Sequence, residues 1–234
     1  MKPPTKKVAI LQSNYIPWKG YFDIIGMVDE FIIYDEVQYT KNDWRNRNKI
    51  KTPLGLQWIT IPVYQKILQQ KISETEISNY KWGVKGWNSI KANYTKAPYF
   101  KTHSLPFEEF YRTAKSTRLS EVNVALIKLI CDHLGIPTLI TNSADYALTG
   151  DPTEKLINLC KQAGASSYLS GPAAKTYLRE DLFKQEGIEI KWMDYDGYPE
   201  YPQLYPPFQH GVSIIDLLFN TGPASLRYMK CSKP

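Results

Sequence analysis

The sequence predicts an α/β fold: a single domain over residues 1–234 with a mostly parallel sheet flanked by helices. Three observations carry that expectation. Short β-rich apolar runs such as "VAIL", "FII", "TLIT" and "YLS" recur between segments of helical spacing. From residue 119 to 195 the order reads helix, strand, helix, strand, helix, strand, which implies parallel pairing through right-handed crossovers. The chain also opens with strand, helix and strand inside about thirty residues, the length of a βαβ unit.

The elements follow in order. "KVAILQS" (7–13) is a buried strand ended by a turn, and "GYFDIIGMV" sets Tyr21, Phe22, Ile24, Ile25 and Val28 at helical spacing. "EFIIYD" (30–35) is the second strand. "LQWITIPV" (56–63) is a third, after the turn "TPLG". A helical insertion, or a lid, is expected around residues 75–118. It comprises "YKWGVKGWNSIKANYTKAPYF", ended by Pro98, and "LPFEEFYRTA". "LSEVNVALIKLICDHLG" is the clearest helix, with Ser120 as N-cap, an apolar stripe through Val122, Leu126 and Ile130 that ends on His133, and Gly135 as its stop. "TLIT" (138–141) is a strand. In "GDPTEKLINLCKQAG", Asp151 caps, Pro152 takes the first helical position and Gly164 terminates. "SSYLSG" is a strand, "PAAKTYLREDLFKQEG" a helix and "IEIKWMDY" a strand. The proline-rich "YPEYPQLYPPF" (198–208) excludes regular structure, and "SIIDLLFNTG" forms a last helix.

Composition narrows the function classes. Hydrophobic residues at 43% and charged residues at 22% exclude wholesale disorder. No apolar run approaches the ~20 residues of a membrane span, and "VAIL" is too short for the core of a signal peptide, so a cytoplasmic protein is expected. Cys131, Cys160 and Cys231 are odd in number and far apart, which gives neither a disulfide framework nor a zinc spacing. Of the 29 Lys+Arg, 16 lie in residues 1–101, beside only 8 of the 23 Asp+Glu. A basic first half points to an anionic partner: phosphate, nucleotide, nucleic acid or an acidic surface.

In a parallel α/β sheet, ligands bind beyond the carboxyl ends of the strands. Gln12, Asn14 and Tyr15 follow the first strand, and Asp35 and Glu36 the second. Ser170 and Gly171 follow a later one. "WRNRNK" (44–49) is the least explained cluster. Arg45 and Arg47 suit a phosphate or carboxylate, Trp44 a base or sugar face, and Asn48 hydrogen bonding. If extended, the segment would put both arginines on one face. "SGPAAK" offers a helix N-terminus to an anion, with Lys175 one turn in. The three histidines lie in unrelated segments, no metal spacing is present, and the sequence names no cofactor.

The stretch from "ILQSNYIPWKGYFDII" to "LQWITIPV", together with "YLSGPAAKTYLREDLFKQEGIEIKWMDY" and "SIIDLLFNTGP", resembles the WbqC-like protein family over about residues 7–223. Its most specific parts are Gln12, Asn14, Tyr15, Pro17, Gly20, Tyr21 and Asp23; then Asp35, Val37 and Gln38; then Trp44, Asn46, Arg47 and Asn48; then Ser170 and Gly171; then Asp216, Leu217 and Asn220. The resemblance implies a place in bacterial O-antigen, capsule or related glycan biosynthesis. The opening "SNYIPWKGYFDII" is also similar to the start of the Rossmann-like nucleotidylyltransferases, whose H-x-G-H turn holds phosphates. Here Trp18, Lys19, Gly20 and Tyr21 stand at that turn, so both histidines are missing and Lys19 would supply the charge.

These readings give a Rossmann-like fold and a transferase acting on a nucleotide-linked or phosphorylated sugar. Gln12, Asn14, Lys19, Trp44, Arg45, Arg47, Asn48, Ser170, Gly171 and Lys175 would bind substrate. Asp35, Asp23 and Tyr15 would carry acid–base or orienting roles. The competing readings are an acyl or aminoacyl transferase using a tRNA or acyl carrier, or a non-catalytic binding module. For tRNA, Trp82, Trp87 and Tyr94 interleaved with Lys81, Lys85, Lys91 and Lys96 would be the contact face.

Overall fold

A computed structural model describes residues 5–232 of the chain. β1 (Lys7–Leu11) runs into a tight loop and α1 (Lys19–Gly26), then β2 (Glu30–Ile33). A hairpin, β3 (Arg47–Thr52) and β4 (Gly55–Thr60), precedes the helices α2 (Trp82–Tyr94), α3 (Phe100–His103), α4 (Leu105–Thr113) and α5 (Leu119–Leu134). β5 (Leu139–Asn142), α6 (Pro152–Gln162), β6 (Ser167–Ser170), α7 (Glu180–Gln185) and β7 (Glu189–Trp192) alternate, and α8 (Ile214–Thr221) follows an irregular tail.

The five-stranded sheet is parallel throughout, in the order β5-β2-β1-β6-β7. Winding runs outward from β1 in one direction and then restarts beside it with β6. The switch point therefore lies between β1 and β6. Alternation along the strands divides the core. Ala9, Phe31 and Ile33 face α1, α5 and α8, whereas Val8, Ile10 and Ile32 face α6 and the segment around α7. Both faces are covered, which is why these strands read as continuous apolar runs.

The helical insertion is present as α2 to α4. On α2, Trp82, Trp87, Ile90 and Tyr94 turn into the core while Lys81, Lys85 and Lys91 stay exposed. The aromatics expected to interleave with lysines on a tRNA face are thus structural. The third apolar strand is present as β4, outside the parallel sheet: it pairs antiparallel with β3, with Lys49 opposite Trp58, through a two-residue turn after which Gly55 takes φ +105°. Two other expectations need correction. Ser120 is not an N-cap. Arg118 holds that position, and the Ser120 hydroxyl is bonded to the Asp35 carboxylate. "PAAKTYLREDLFKQEG" is not one helix. It breaks into a 3-10 turn, Pro172–Thr176, and the short α7, so that Ala174, Leu178 and Phe183 all reach the smaller core.

Candidate functional site

The loop after β1 carries the first site residues, and it is strained. Ile16, a buried β-branched residue, adopts φ +36°. Side chains from the segment before and within β3 hold it there. The Asn48 amide donates to the carbonyls of Tyr15 at 3.1 Å and Ile16 at 2.8 Å, and the Tyr15 N–H donates to the Trp44 carbonyl at 3.0 Å. The Arg45 guanidinium donates to the Asn14 side-chain oxygen and, at 3.1 Å, to that of Gln12. From α5, the Asn123 amide donates to the Arg45 carbonyl at 2.8 Å.

This clasp shapes a slot of about 360 Å³ lined by Asn14, Pro17, Trp18, Trp44, Asn48, His210 and Gly211. Trp18 is folded back over the start of α1, where a Cβ on Gly20 would lie 2.4 Å from its ring. It packs against Tyr195 and Tyr198 at centroid distances of 5.1 and 5.7 Å. Trp44 stays 42% exposed and packs against Trp58. His210 rests on Phe208 at 4.5 Å. Partial burial, and then the Lys19 charge, hold its pKa below the ordinary histidine value.

A second cleft, of about 430 Å³, opens at the switch point. It is lined by the end of β1 (Leu11, Gln12), by Tyr34 after β2, by Lys155 on α6, by Tyr168, Ser170 and Gly171, and by Tyr177. The predicted binding residues therefore divide. Asn14, Trp44 and Asn48 line the slot, Gln12, Ser170 and Gly171 line the cleft, and Arg45 joins the two through Gln12 and Asn14.

The rest of the predicted cluster is dispersed. Residues 41–46 form turns rather than a strand, so the two arginines do not share a face. Arg47 instead donates to the Asn42 carbonyl and stacks 4.2 Å over Trp58. Lys19 lies beneath the site. It is 3% exposed, donates to the Pro199 carbonyl at 3.3 Å and sits 4.6 Å from the Tyr198 ring centroid. Burial pulls its pKa down to about 8, against the opposing charge of Asp23. Lys175 lies over Trp192 at 5.5 Å, and the single 3-10 turn beside it is too short to serve as an anion-binding helix end.

The three acid–base candidates face inward. Asp35 accepts the Ser13 N–H at 2.8 Å and the Ser120 hydroxyl. Burial pushes its pKa up, and those two hydrogen bonds and the charge of Arg45 pull back. Asp23 is fully buried and accepts from Tyr198 Oη at 2.5 Å and from the backbone N–H groups of Lys230 and Cys231 at 2.8 and 2.7 Å. The Tyr15 hydroxyl meets that of Tyr111 at 2.7 Å, and burial raises its pKa. Glu36 is paired with Lys71 at 2.9 Å. These groups set the shape of the site from below and line neither opening.

Sequence reasoning missed His210, Gly211, Tyr34, Lys155 and Tyr177. His210 and Gly211 follow the proline-rich tail, which has no periodicity to read. The histidines were not unrelated either, since His103 Nδ1 and His133 Nε2 are 2.7 Å apart. Among the described residues no group of three or more His, Cys, Asp or Glu could hold a metal ion, and no helix is long and apolar enough to cross a membrane.

The model of the WbqC-like protein family matches residues 12–228. The chain is 51% identical over 229 residues to a Mycobacterium tuberculosis protein named Uncharacterized protein Rv1507c, covering 96% of this chain and 99% of that one. No solved structure matches.

Proposed function

The chain belongs to the WbqC-like protein family, and from that premise we propose that it is a transferase of surface-polysaccharide or related glycan biosynthesis that holds a phosphorylated or nucleotide-linked sugar between Trp18 and Trp44. The observation that carries this reading is the slot itself. Indole faces suit the C–H faces of a sugar ring, and amides suit its hydroxyls. Arg45 fixes the Asn14 side-chain oxygen, which leaves the Asn14 amide donor directed away from the clasp and, among the described residues, without a partner. Asn48 spends its own amide donor on the loop carbonyls and so acts as a positioning residue.

His210 is the titratable side chain on the slot wall. Neutral near pH 7, it can take the proton of an acceptor hydroxyl or amine. That acceptor then bonds to the transferred group as the group's bond to its phosphate leaving group breaks. The charge of Arg45 beneath Asn14 and Gln12 favours that leaving phosphate. Quenching of tryptophan fluorescence by a panel of sugar 1-phosphates and nucleotide sugars tests the reading. Quenching by at least one, weakened about tenfold or more in Trp44→Ala and Asn14→Ala, is expected. Equal binding by wild type and both variants would refute it.

One observation favours a second reading, transfer of an acyl or aminoacyl group from a carrier. Arg47 and Lys49 lie 4.2 and 5.0 Å over Trp58, which adjoins Trp44. An exposed cation–aromatic face beside the slot suits a polyanion such as tRNA. A steep salt dependence of tRNA binding, flattened in Lys49→Ala, together with weaker binding in Trp58→Ala, would support it.

A further inference from the structure

The chain has thirteen glycines. Seven adopt positive φ, and at Gly20, Gly26, Gly83 and Gly86 a Cβ would meet another atom within 3.1 Å. Backbone conformation or close packing accounts for these eleven. The other two are Gly171 and Gly211. Gly171 has φ −71°, and a Cβ there would touch nothing closer than Tyr195 Oη at 3.7 Å. Gly211 has no positive φ, and a Cβ there would meet nothing within 4 Å. The fold requires neither, and glycine costs backbone entropy where it is not required. Gly171 lines the switch-point cleft and Gly211 the indole slot.

Two other features tie these openings together. Gln12 lines the cleft and Asn14 the slot, two residues or about 7 Å of extended chain apart, with one guanidinium bonded to both. No carboxylate lines the cleft. Its one charged side chain is Lys155, which has no ion pair or hydrogen bond among the described residues. The adjacent N-terminus of α6 is already filled by the Asp151 carboxylate, itself paired with Arg179. Lys155 is therefore the cation left for a ligand. Tyr34 and the exposed Tyr177 supply aromatic surface to the same cleft, above the buried Tyr168.

We propose that the two openings form one site for a nucleoside diphosphate sugar. The nucleoside lies against the tyrosines of the switch-point cleft, and the phosphates pass over Gly171 and Lys155 and across Arg45. The sugar enters the Trp18–Trp44 slot beside Gly211. This rests on the sugar reading above and adds the carrier and the place that holds it.

Calorimetric titration of the full chain with UDP, ADP, GDP and dTDP, and separately with a sugar 1-phosphate, tests it. Gly171→Val puts a branched side chain into the cleft, while Lys155→Ala and Tyr177→Ala alter exposed or half-exposed groups and keep the test interpretable if Gly171→Val fails to fold. At least one nucleoside diphosphate is expected to bind, about tenfold or more weaker in Lys155→Ala and Gly171→Val and within twofold of wild type in Trp44→Ala. The sugar 1-phosphate, which has no nucleoside, is expected to bind about tenfold or more weaker in Trp44→Ala and within twofold of wild type in Tyr177→Ala. A nucleoside diphosphate that binds all cleft variants as it binds wild type, or no nucleoside diphosphate binding at all, overturns the proposal. In either case, a sugar 1-phosphate still weakened by Trp44→Ala would leave the slot reading standing.

Discussion

At the scale of single residues, the site depends on a backbone conformation its own sequence disfavours. Ile16 persists at φ +36° because the Asn48 amide donates both to its carbonyl and to that of Tyr15, which fixes the turn from two sides. Asn48→Ala is expected to cost about 1–3 kcal/mol in urea unfolding, since it leaves two buried carbonyls without a donor. It should also weaken slot ligands, and unchanged stability would refute that role. His210 gives a pH expectation. Its pKa lies below the ordinary ~6.5, so under the proposed transfer the acid limb of kcat should fall below that value and disappear in His210→Gln. The slot positions of Trp44 and Asn48 were legible because an indole and amides crowd a short stretch, and that of Asn14 because it follows the first strand. His210 was not, because its meaning comes from residues near position 14 that only the fold brings to it. Asp35 and Asp23 looked catalytic from their position after or beside strands, but hydrogen bonds and burial that leave no mark on sequence spacing turn them inward.

At the scale of elements, α1 positions the site as much as the strand before it. Gly20 lets the Trp18 indole lie directly on the helix start, and any side chain there collides with it. Gly20→Ala is expected to displace Trp18, change tryptophan emission and weaken slot ligands at least severalfold. Wild-type emission and affinity would show that the indole has another way to lie. α5 and α6 were legible because Gly135 at φ +67°, and the Asp151 cap with Gly164 at φ +68°, are local signals. β3 was not, since its residues Arg-Asn-Lys-Ile-Lys-Thr carry little of the alternation by which a strand is read. Its partner β4 was found as a strand but not as half of a separate hairpin, because an apolar run does not disclose its neighbour.

At the scale of the whole molecule, the sheet is tied crosswise by one buried carboxylate. Glu30 on β2 pairs with Lys6 at 2.7 Å and accepts from Thr141 on β5 at 2.6 Å and from Tyr146 at 2.5 Å. Burial alone would raise its pKa, but these partners outweigh it and the pKa is lowered. The folded value is thus below the unfolded one. The stability Glu30 contributes is present above the unfolded value of about 4.5 and is lost as pH falls through the folded value. Glu30→Gln should therefore lower the urea midpoint at pH 7 and do so progressively less as pH falls below about 4.5; a loss independent of pH would exclude the ionic contribution. The parallel pairing of the strands could be read from alternation and length, but not their order in the sheet. The path of residues 194–213 could not, because no periodic signal directs a proline-rich tail across the carboxyl edge.

That path has a kinetic consequence. Trp18 is packed by Tyr195 and Tyr198, and His210 closes the same slot, although some 180 residues separate these parts along the chain. The β1–α1–β2 unit needs only local closures, whereas the slot is complete only after the late-synthesised tail has crossed the sheet edge. A nascent or refolding chain should therefore gain helical circular dichroism before it gains the emission of a docked Trp18. The interval between the two signals would time the maturation of the slot.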